Sequence, residues 1–250
     1  MKLTKLKLGL AGAALGLSAI SAAQAEELSI STTWAYESEY IFRGIQFSED
    51  SFQPSLDVAY GAFYLGAWAA LPVGDGAVNF GDEIDIYGGY GFDVSDFVSM
   101  DVGVTYYTFP DAQDGFFDTL DEEDGTGANT VEPFVGFAFG VPLDPSLYVY
   151  YDFMFDTVTL QGDAGYSFPM TEEASFDVGA YVGHVFDDDD DADYTYYGIS
   201  ADVSYAFTDA TSGAVGGRWG GSSEDTFLDD DGFYTEDNSF WFGISFGAGF

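Results

Sequence analysis

The sequence predicts an all-β fold: a closed antiparallel transmembrane β-barrel of about twelve strands, with both termini on the periplasmic side. Three observations predict it. Apolar residues alternate with small or polar ones at period two, in segments of roughly ten residues. Twelve such segments follow one another, an even number. The connections between them alternate between long and short, as the two rims of an outer-membrane barrel require.

Residues 1–25, MKLTKLKLGLAGAALGLSAISAAQA, hold three lysines, an apolar run from Leu8 to Ile20 and the small-x-small end Ala23-Gln24-Ala25. This is the plan of a cleaved secretory signal peptide, expected as a helix outside the fold. Its apolar run is shorter than the ~20 residues of a transmembrane helix. The barrel is expected over 26–250, with the mature chain beginning near Glu26. Cleavage would remove every lysine and leave Arg43 and Arg218 against 44 acids, a net charge of −42. Such a chain repels nucleic acid and attracts small cations. It has no cysteine, hence no disulfide and no thiol chemistry. At 47% hydrophobic and 19% aromatic residues it has too much to bury to be disordered.

The first segment carries Leu28, Ile30, Thr32, Trp34 and Tyr36 on its apolar parity; the second carries Phe52, Leu56, Val58 and Tyr60. A weaker third runs over about 62–70. The fourth has Ile84, Ile86, Tyr90 and Phe92, the fifth Val98, Met100, Val102, Val104 and Tyr106. The sixth has Val131, Val135, Phe137 and Phe139, the seventh Leu147, Val149, Tyr151 and Phe153. The eighth has Val158, Leu160, Ala164, Tyr166 and Phe168, the ninth Phe176, Val178, Ala180 and Val182. The tenth has Tyr197, Ile199, Ala201, Val203, Tyr205 and Phe207, and the glycine-rich eleventh Val215 and Trp219. The last has Phe240, Phe242, Ile244, Phe246, Ala248 and Phe250. Connections near 47–51, 71–81, 109–130, 187–193 and 221–237 are polar and mostly long. Those near Gly61 and near 93–96, 141–146, 169–174 and 208–209 are short. The connection near Asp156 is short and breaks the alternation.

Successive side chains of a strand point to opposite faces, so the other parity faces the lumen. It carries Glu37, Glu39, Arg43, Asp57, Glu83, Asp85, Asp101, Glu132, Asp152, Asp177, Asp202 and Arg218. An arginine facing lipid at mid-membrane costs about 2–4 kcal/mol, whereas inside it meets water or carboxylates. These residues are expected to line a pore. Arg43 is expected on the wall near the outer rim, bonded to Glu39 or Asp57, as a brace or as a constriction residue.

The stretch SEYIFRGIQFSEDSFQPSLDVAYGAFYLGAWA, residues 38–69, resembles the start of the TorF-type porin family of bacterial outer-membrane proteins. Ser38, Tyr40, Phe42, Arg43 and Gly44 carry the likeness, with the polar loop after them and Pro54-x-Leu56. The resemblance implies a barrel and suggests a pore. The alternating aromatic end, closing on Phe250, is similar to the terminal strand that the barrel-assembly machinery of Gram-negative envelopes reads.

Chemistry is sparse. The single histidine, His184, shares the parity of Val182 and Phe186 and is expected outside, near a rim. No serine or threonine sits in a nucleophile context beside a base. The acidic runs miss the spacing of a calcium loop: with Gly232 at its sixth position, Phe227 falls at the first and Asn238 at the twelfth. Asp187, Asp188, Asp189, Asp190 and Asp191 remain candidates for loose divalent binding, and no cofactor is expected. The function expected is passive diffusion of small, preferentially cationic solutes through a negative lumen in the outer membrane. The rivals are a non-conducting barrel whose acidic loops bridge cations to lipopolysaccharide, and a lipid-modifying barrel enzyme, which would need the missing nucleophile–base pair.

Overall fold

The computed structural model describes residues 25–73, 81–112, 129–187, 193–229 and 231–250. Its strands run β1 (Ala25–Glu37), β2 (Tyr40–Phe42), β3 (Ile45–Ser48), β4 (Ser51–Gly61), β5 (Phe63–Pro72), β6 (Glu83–Ser95), β7 (Val98–Thr108) and β8 (Thr130–Phe139). They continue as β9 (Ser146–Asp152), β10 (Thr157–Pro169), β11 (Ala174–Phe186), β12 (Tyr194–Ala206), β13 (Thr211–Ser222), β14 (Phe227–Leu228), β15 (Tyr234–Glu236) and β16 (Asn238–Gly249). Twelve of them close a barrel in the order β1-β16-β13-β12-β11-β10-β9-β8-β7-β6-β5-β4. Every ladder is antiparallel, and β1 closes the sheet by pairing β16 on one side and β4 on the other. Closure leaves no strand edge unpaired, which is the condition for a sheet to stand in lipid.

The twelve segments expected from alternation are the twelve wall strands. The weak third segment is a full member, β5, laddered to β4 and β6. One rim has short connections, among them 170–173 and 207–210, and the chain end joins it there through hydrogen bonds between Ile30 and Phe250. The other rim carries the long connections, with the turn after β9 as the short exception. The first long connection departs from expectation. It spans 38–50 rather than 47–51, and it holds a hairpin, β2–β3, that is not part of the wall. A second hairpin, β14–β15, lies in the connection before β16. The helix expected for 1–25 lies outside the described residues, apart from Ala25, which opens β1.

Alternation produces an inside-out molecule. Leu28, Leu56, Leu65, Val182, Ile199 and Ile244 are exposed on the outer face, while Gln53, Glu83, Asp85, Glu132 and Asp202 are buried on the inner one. Outer aromatics gather toward the rims, for instance Tyr166 against Phe168 and Phe207 against Phe246, with Trp34 stacked on the latter. The inner face has its own large rings, and each needs a place to lie. Tyr87 covers Gly66, Tyr148 covers Gly136 and Phe134 covers Gly103, each glycine on the neighbouring strand and without room for a Cβ. Phe134, Tyr148 and Tyr150 also pack on one another and, with Tyr64, form a buried aromatic cluster inside the barrel. Toward the short-turn rim many inner positions are small, among them Ser29, Ser99, Ala138, Ser167, Ser175, Ser204 and Ser245, with Tyr64 a large exception.

Candidate functional site

The site is the first long connection and the wall around it. After Glu37 the chain bends, and Ser38 stays tied to β16: its backbone N–H donates to Phe242 O at 2.9 Å and its Oγ accepts from Phe242 N at 3.0 Å. From there β2 and β3 form a hairpin with Phe42 opposite Ile45. The turn is therefore two residues long, Arg43 and Gly44, with φ of 47° and 75°. Positive φ at both positions is the requirement of a type I′ turn, which matches the twist of the strands it joins. Gly44 answers a second demand, because its Cα abuts Tyr196 of β12 and leaves no space for a side chain.

The hairpin runs inward and touches the wall on several sides. Tyr40 packs on Trp68 of β5 and donates its hydroxyl to Glu83 Oε2 of β6 at 2.9 Å. Phe42 meets Tyr107 of β7. Ile41 turns toward β16, into an apolar cluster with Phe227 and Trp241. Arg43, at the tip, donates from Nη1 to Oε2 of Glu132 at 2.6 Å and from Nη2 to Oε1 at 2.8 Å. Such a two-toothed pair is stronger and more directional than a single ionic contact. The guanidinium carbon also stands 4.5 Å from the ring centre of Tyr150 and 4.7 Å from that of Phe42. Burial works against the arginine's charge, and Glu132 more than offsets it, so the group stays protonated.

The other hairpin holds the first in place. Gln46 donates its N–H to Thr226 O at 3.0 Å, its Oε1 accepts from Leu228 N at 3.0 Å, and its carbonyl accepts from the Tyr234 hydroxyl at 2.7 Å. Thr226 Oγ1 also donates to Gly44 O. Asp229 organises the β14–β15 turn by accepting from Phe233 N at 3.0 Å and from Thr235 Oγ1 at 2.7 Å, which keeps its carboxyl below the usual range.

The residues singled out in the sequence distribute as follows. Arg43 is on the inward hairpin and not on a wall strand, and its carboxylate is Glu132, on the far side of the barrel, rather than Glu39 or Asp57. Glu39 lies in the bend before β2 and accepts from Ser239 Oγ at 2.8 Å; burial lifts its carboxyl and that hydroxyl opposes the lift. Asp57 accepts from the Tyr87 hydroxyl and, at 3.4 Å, from Ser55 Oγ. Asp101 accepts from the hydroxyls of Tyr64 at 2.9 Å and Tyr148 at 3.3 Å. Arg218 stands between Glu37 and Asp202, with Nε 3.3 Å from Glu37 Oε2 and Nη1 2.8 Å from Asp202 Oδ1. Asp177 is the register partner of Asp202 and accepts from Ser175 Oγ at 3.0 Å. Glu83 and Asp85 lie two residues apart on the inner face of β6, and both Asp85 oxygens are buried without a hydrogen-bond partner. Asp152 faces in but serves the turn after β9: it accepts from Thr130 Oγ1 and from the N–H groups of Met154 and Phe155 at 2.9 and 3.0 Å.

His184 is half-buried on the parity of Phe186, edge-on to its ring, with Nδ1 2.8 Å from Thr195 Oγ1 and Nε2 3.8 Å from Asp193. Of the aspartates weighed for divalent binding, 188–191 lie outside the described residues, and Asp187 donates its backbone N–H to Asp193 Oδ1 at 2.6 Å. No group of three acidic or histidine side chains is placed to hold a metal ion among the described residues. Two features went unread in the sequence. Asp163 faces inward on β10, bonded to Gln161 Nε2 at 3.0 Å; its parity opposite Leu160 and Ala164 was the available signal. The tyrosine seats of the inner wall, among them Tyr107, Tyr148, Tyr150 and Tyr196, share that parity signal.

A model of a bacterial protein family of unknown function, Gcw_chp, matches residues 21–139. No curated protein matches the sequence. Among solved structures the fold is similar to the KdgM porin, at 12% identity over 88% of this chain and 99% of that one, with a TM-score of 0.56. It is similar to the KdgM porin in complex with disordered oligogalacturonate, at 11% identity over 89% and 99% with a TM-score of 0.54. It is also similar to the NanC porin, at 10% identity over 88% and 98% with a TM-score of 0.52. At such identities the likeness is one of fold, and the closed twelve-stranded barrel is a fold this chain shares with outer-membrane porins.

Proposed function

We propose that the protein is a porin-like channel of the Gram-negative outer membrane that passes small solutes and prefers cations. The observation that carries the reading is the charge balance of the inner face. Its two arginines are each committed to carboxylates, Arg43 to Glu132 and Arg218 to Glu37 and Asp202. Asp57, Asp101, Asp163 and Asp177 have no basic partner among the described residues. A low-dielectric wall around such a set concentrates positive ions and repels negative ones. An exposed apolar outer belt supports the lipid setting, since soluble monomers do not leave so large a patch uncovered. The solved complex of KdgM concerns an oligogalacturonate, an anionic chain; an acid-lined lumen is unsuited to such a guest and points to a different solute class.

The chain is a TorF-type porin exported by a cleaved leader over 1–25, with its short-turn rim in the periplasm. Outer-membrane lipids and lipopolysaccharide surround it, and the barrel-assembly machinery reads the strand ending at Phe250. No cofactor is needed for diffusion. One observation favours a second reading, a non-conducting barrel: the β2–β3 hairpin and its β14–β15 partner occupy the long-loop half of the lumen. Single-channel recording across a potassium chloride gradient separates the two. Discrete conductance with a reversal potential on the cation side supports the channel. Anion preference overturns it, and a silent bilayer with correctly folded protein leaves the non-conducting barrel.

A further inference from the structure

Glu132 is buried on β8, yet its partner comes from the opposite side of the barrel on a loop. The parts that receive Arg43 belong to the wall strands. Tyr107, on β7, donates its hydroxyl to Glu132 Oε1 at 3.0 Å and so fixes the plane of the carboxylate. Tyr150, on β9, turns its ring face to the same point, 4.5 Å from the guanidinium carbon. Three adjacent strands thus present a two-toothed acceptor beside an aromatic face. A planar guanidinium satisfies both, with parallel N–H···O bonds and a cation–π contact; a compact ammonium matches only the charge.

The occupant is held less simply than the seat. Arg43 has a φ of 47°, a left-handed conformation uncommon for a residue with a long side chain. It is delivered by a hairpin outside the barrel sheet, so seat and occupant can part without breaking a backbone ladder bond of the wall. From these observations we propose that Glu132, Tyr107 and Tyr150 form a guanidinium-binding site, filled by Arg43 in the resting molecule and open to a small guanidinium-bearing solute in its place. The inference rests on the channel reading by naming a solute class for that lumen. Binding at the seat is measurable whether or not the barrel conducts.

The test is chemical rescue of Arg43→Ala, with ethylguanidinium as the probe and ethylammonium and sodium at equal ionic strength as controls. Titration calorimetry and the unfolding midpoint of the refolded, detergent-solubilised protein are the readouts, since a ligand of the folded state alone raises that midpoint. Ethylguanidinium is expected to bind Arg43→Ala at least about tenfold more tightly than wild type, whose seat is filled, or than Arg43→Ala/Glu132→Gln, a gap of about 1.4 kcal/mol. It should restore the midpoint lost in Arg43→Ala where ethylammonium does not. Equal responses of the single and double variants, or equal action of the two cations, overturn the proposal. Should Arg43→Ala fail to fold, Arg43→Lys keeps the charge without the fork, and its rescue by ethylguanidinium over ethylammonium serves the same decision. Planar-bilayer recording keeps the two readings apart. Rescue without any current leaves the seat standing and ends the channel reading. Cation-preferring current with no calorimetric preference of Arg43→Ala for ethylguanidinium over ethylammonium leaves the channel standing and ends the seat.

Discussion

Arg218 is 7% exposed and bridges two inward acids, Glu37 at 2% and Asp202 at 5%. Removing one partner from a buried ionic group leaves uncompensated charge and costs about 3–5 kcal/mol, more than the intact group contributes relative to apolar packing. Arg218→Met should therefore lower the urea midpoint of the refolded barrel strongly. Adding Glu37→Gln and Asp202→Asn should recover most of the loss, because two neutral amides no longer repel. Strictly additive losses in the triple variant would show that the three residues do not act as a unit. Parity alone placed these three residues on the inner face, because each stands on a wall strand where alternation is unbroken. Which acid meets which arginine was not legible. The meeting of Glu37, Arg218 and Asp202 depends on the stagger of β1, β16, β13 and β12, a property of four segments far apart in sequence. The tyrosine seats were hidden for the same reason. Tyr148 lies flat only because Gly136 is its register partner on β8, and neither residue's own segment reveals the other.

The element that parity misread is the β2–β3 hairpin. A run such as Glu37, Glu39, Arg43 keeps one parity whether the chain continues along a wall or leaves it, so alternation cannot separate the two cases. The turn gave little help, because a type I′ turn is usually announced by Asn-Gly and here is Arg-Gly. In the structure the first five residues behind the family resemblance serve this hairpin, while Pro54 and Leu56 stand on β4: Ser38 anchors its start on β16, Tyr40 reaches Glu83, Phe42 and Arg43 make the tip, and Gly44 clears Tyr196. Replacing 40–48 by a short Gly-Ser turn should leave the twelve-stranded ladders intact and raise single-channel conductance several-fold if the hairpin, and not the inner aromatic cluster of Tyr64, Phe134, Tyr148 and Tyr150, limits the current. Unchanged conductance would mean that current is limited elsewhere. The terminal strand supplies a separate expectation. Phe250 is exposed at the short-turn rim, and its backbone is bonded to Ile30 in both directions. Deleting Phe250 should reduce heat-modifiable protein in outer-membrane fractions while refolding in detergent stays normal. Equal loss in both settings would trace the effect to lost barrel contacts rather than to assembly.

At the scale of the whole molecule the question is whether the lumen's charge governs what passes. Asp57, Asp101 and Asp163 lie on the wall away from the hairpin, each bonded to neutral groups: the tyrosine hydroxyls for the first two and Gln161 for the third. An asparagine keeps an acceptor oxygen in each place while removing the charge. The barrel should survive the triple change, and its field should not. In 0.1 M salt the Debye length is about 10 Å, so wall charges act over most of a narrow lumen; at 1 M it is about 3 Å and they act only on ions in contact. The wild-type cation preference should therefore be largest in dilute potassium chloride and shrink as salt rises. The triple variant should lose most of the preference at low salt and differ little from wild type at 1 M. Reversal potentials at both concentrations measure it. A preference that persists unchanged in the variant would move selectivity to the Glu132 seat and the acids behind the hairpin. A preference that does not weaken with salt would mean that ions are selected by contact, at a constriction, and not by the field of the wall.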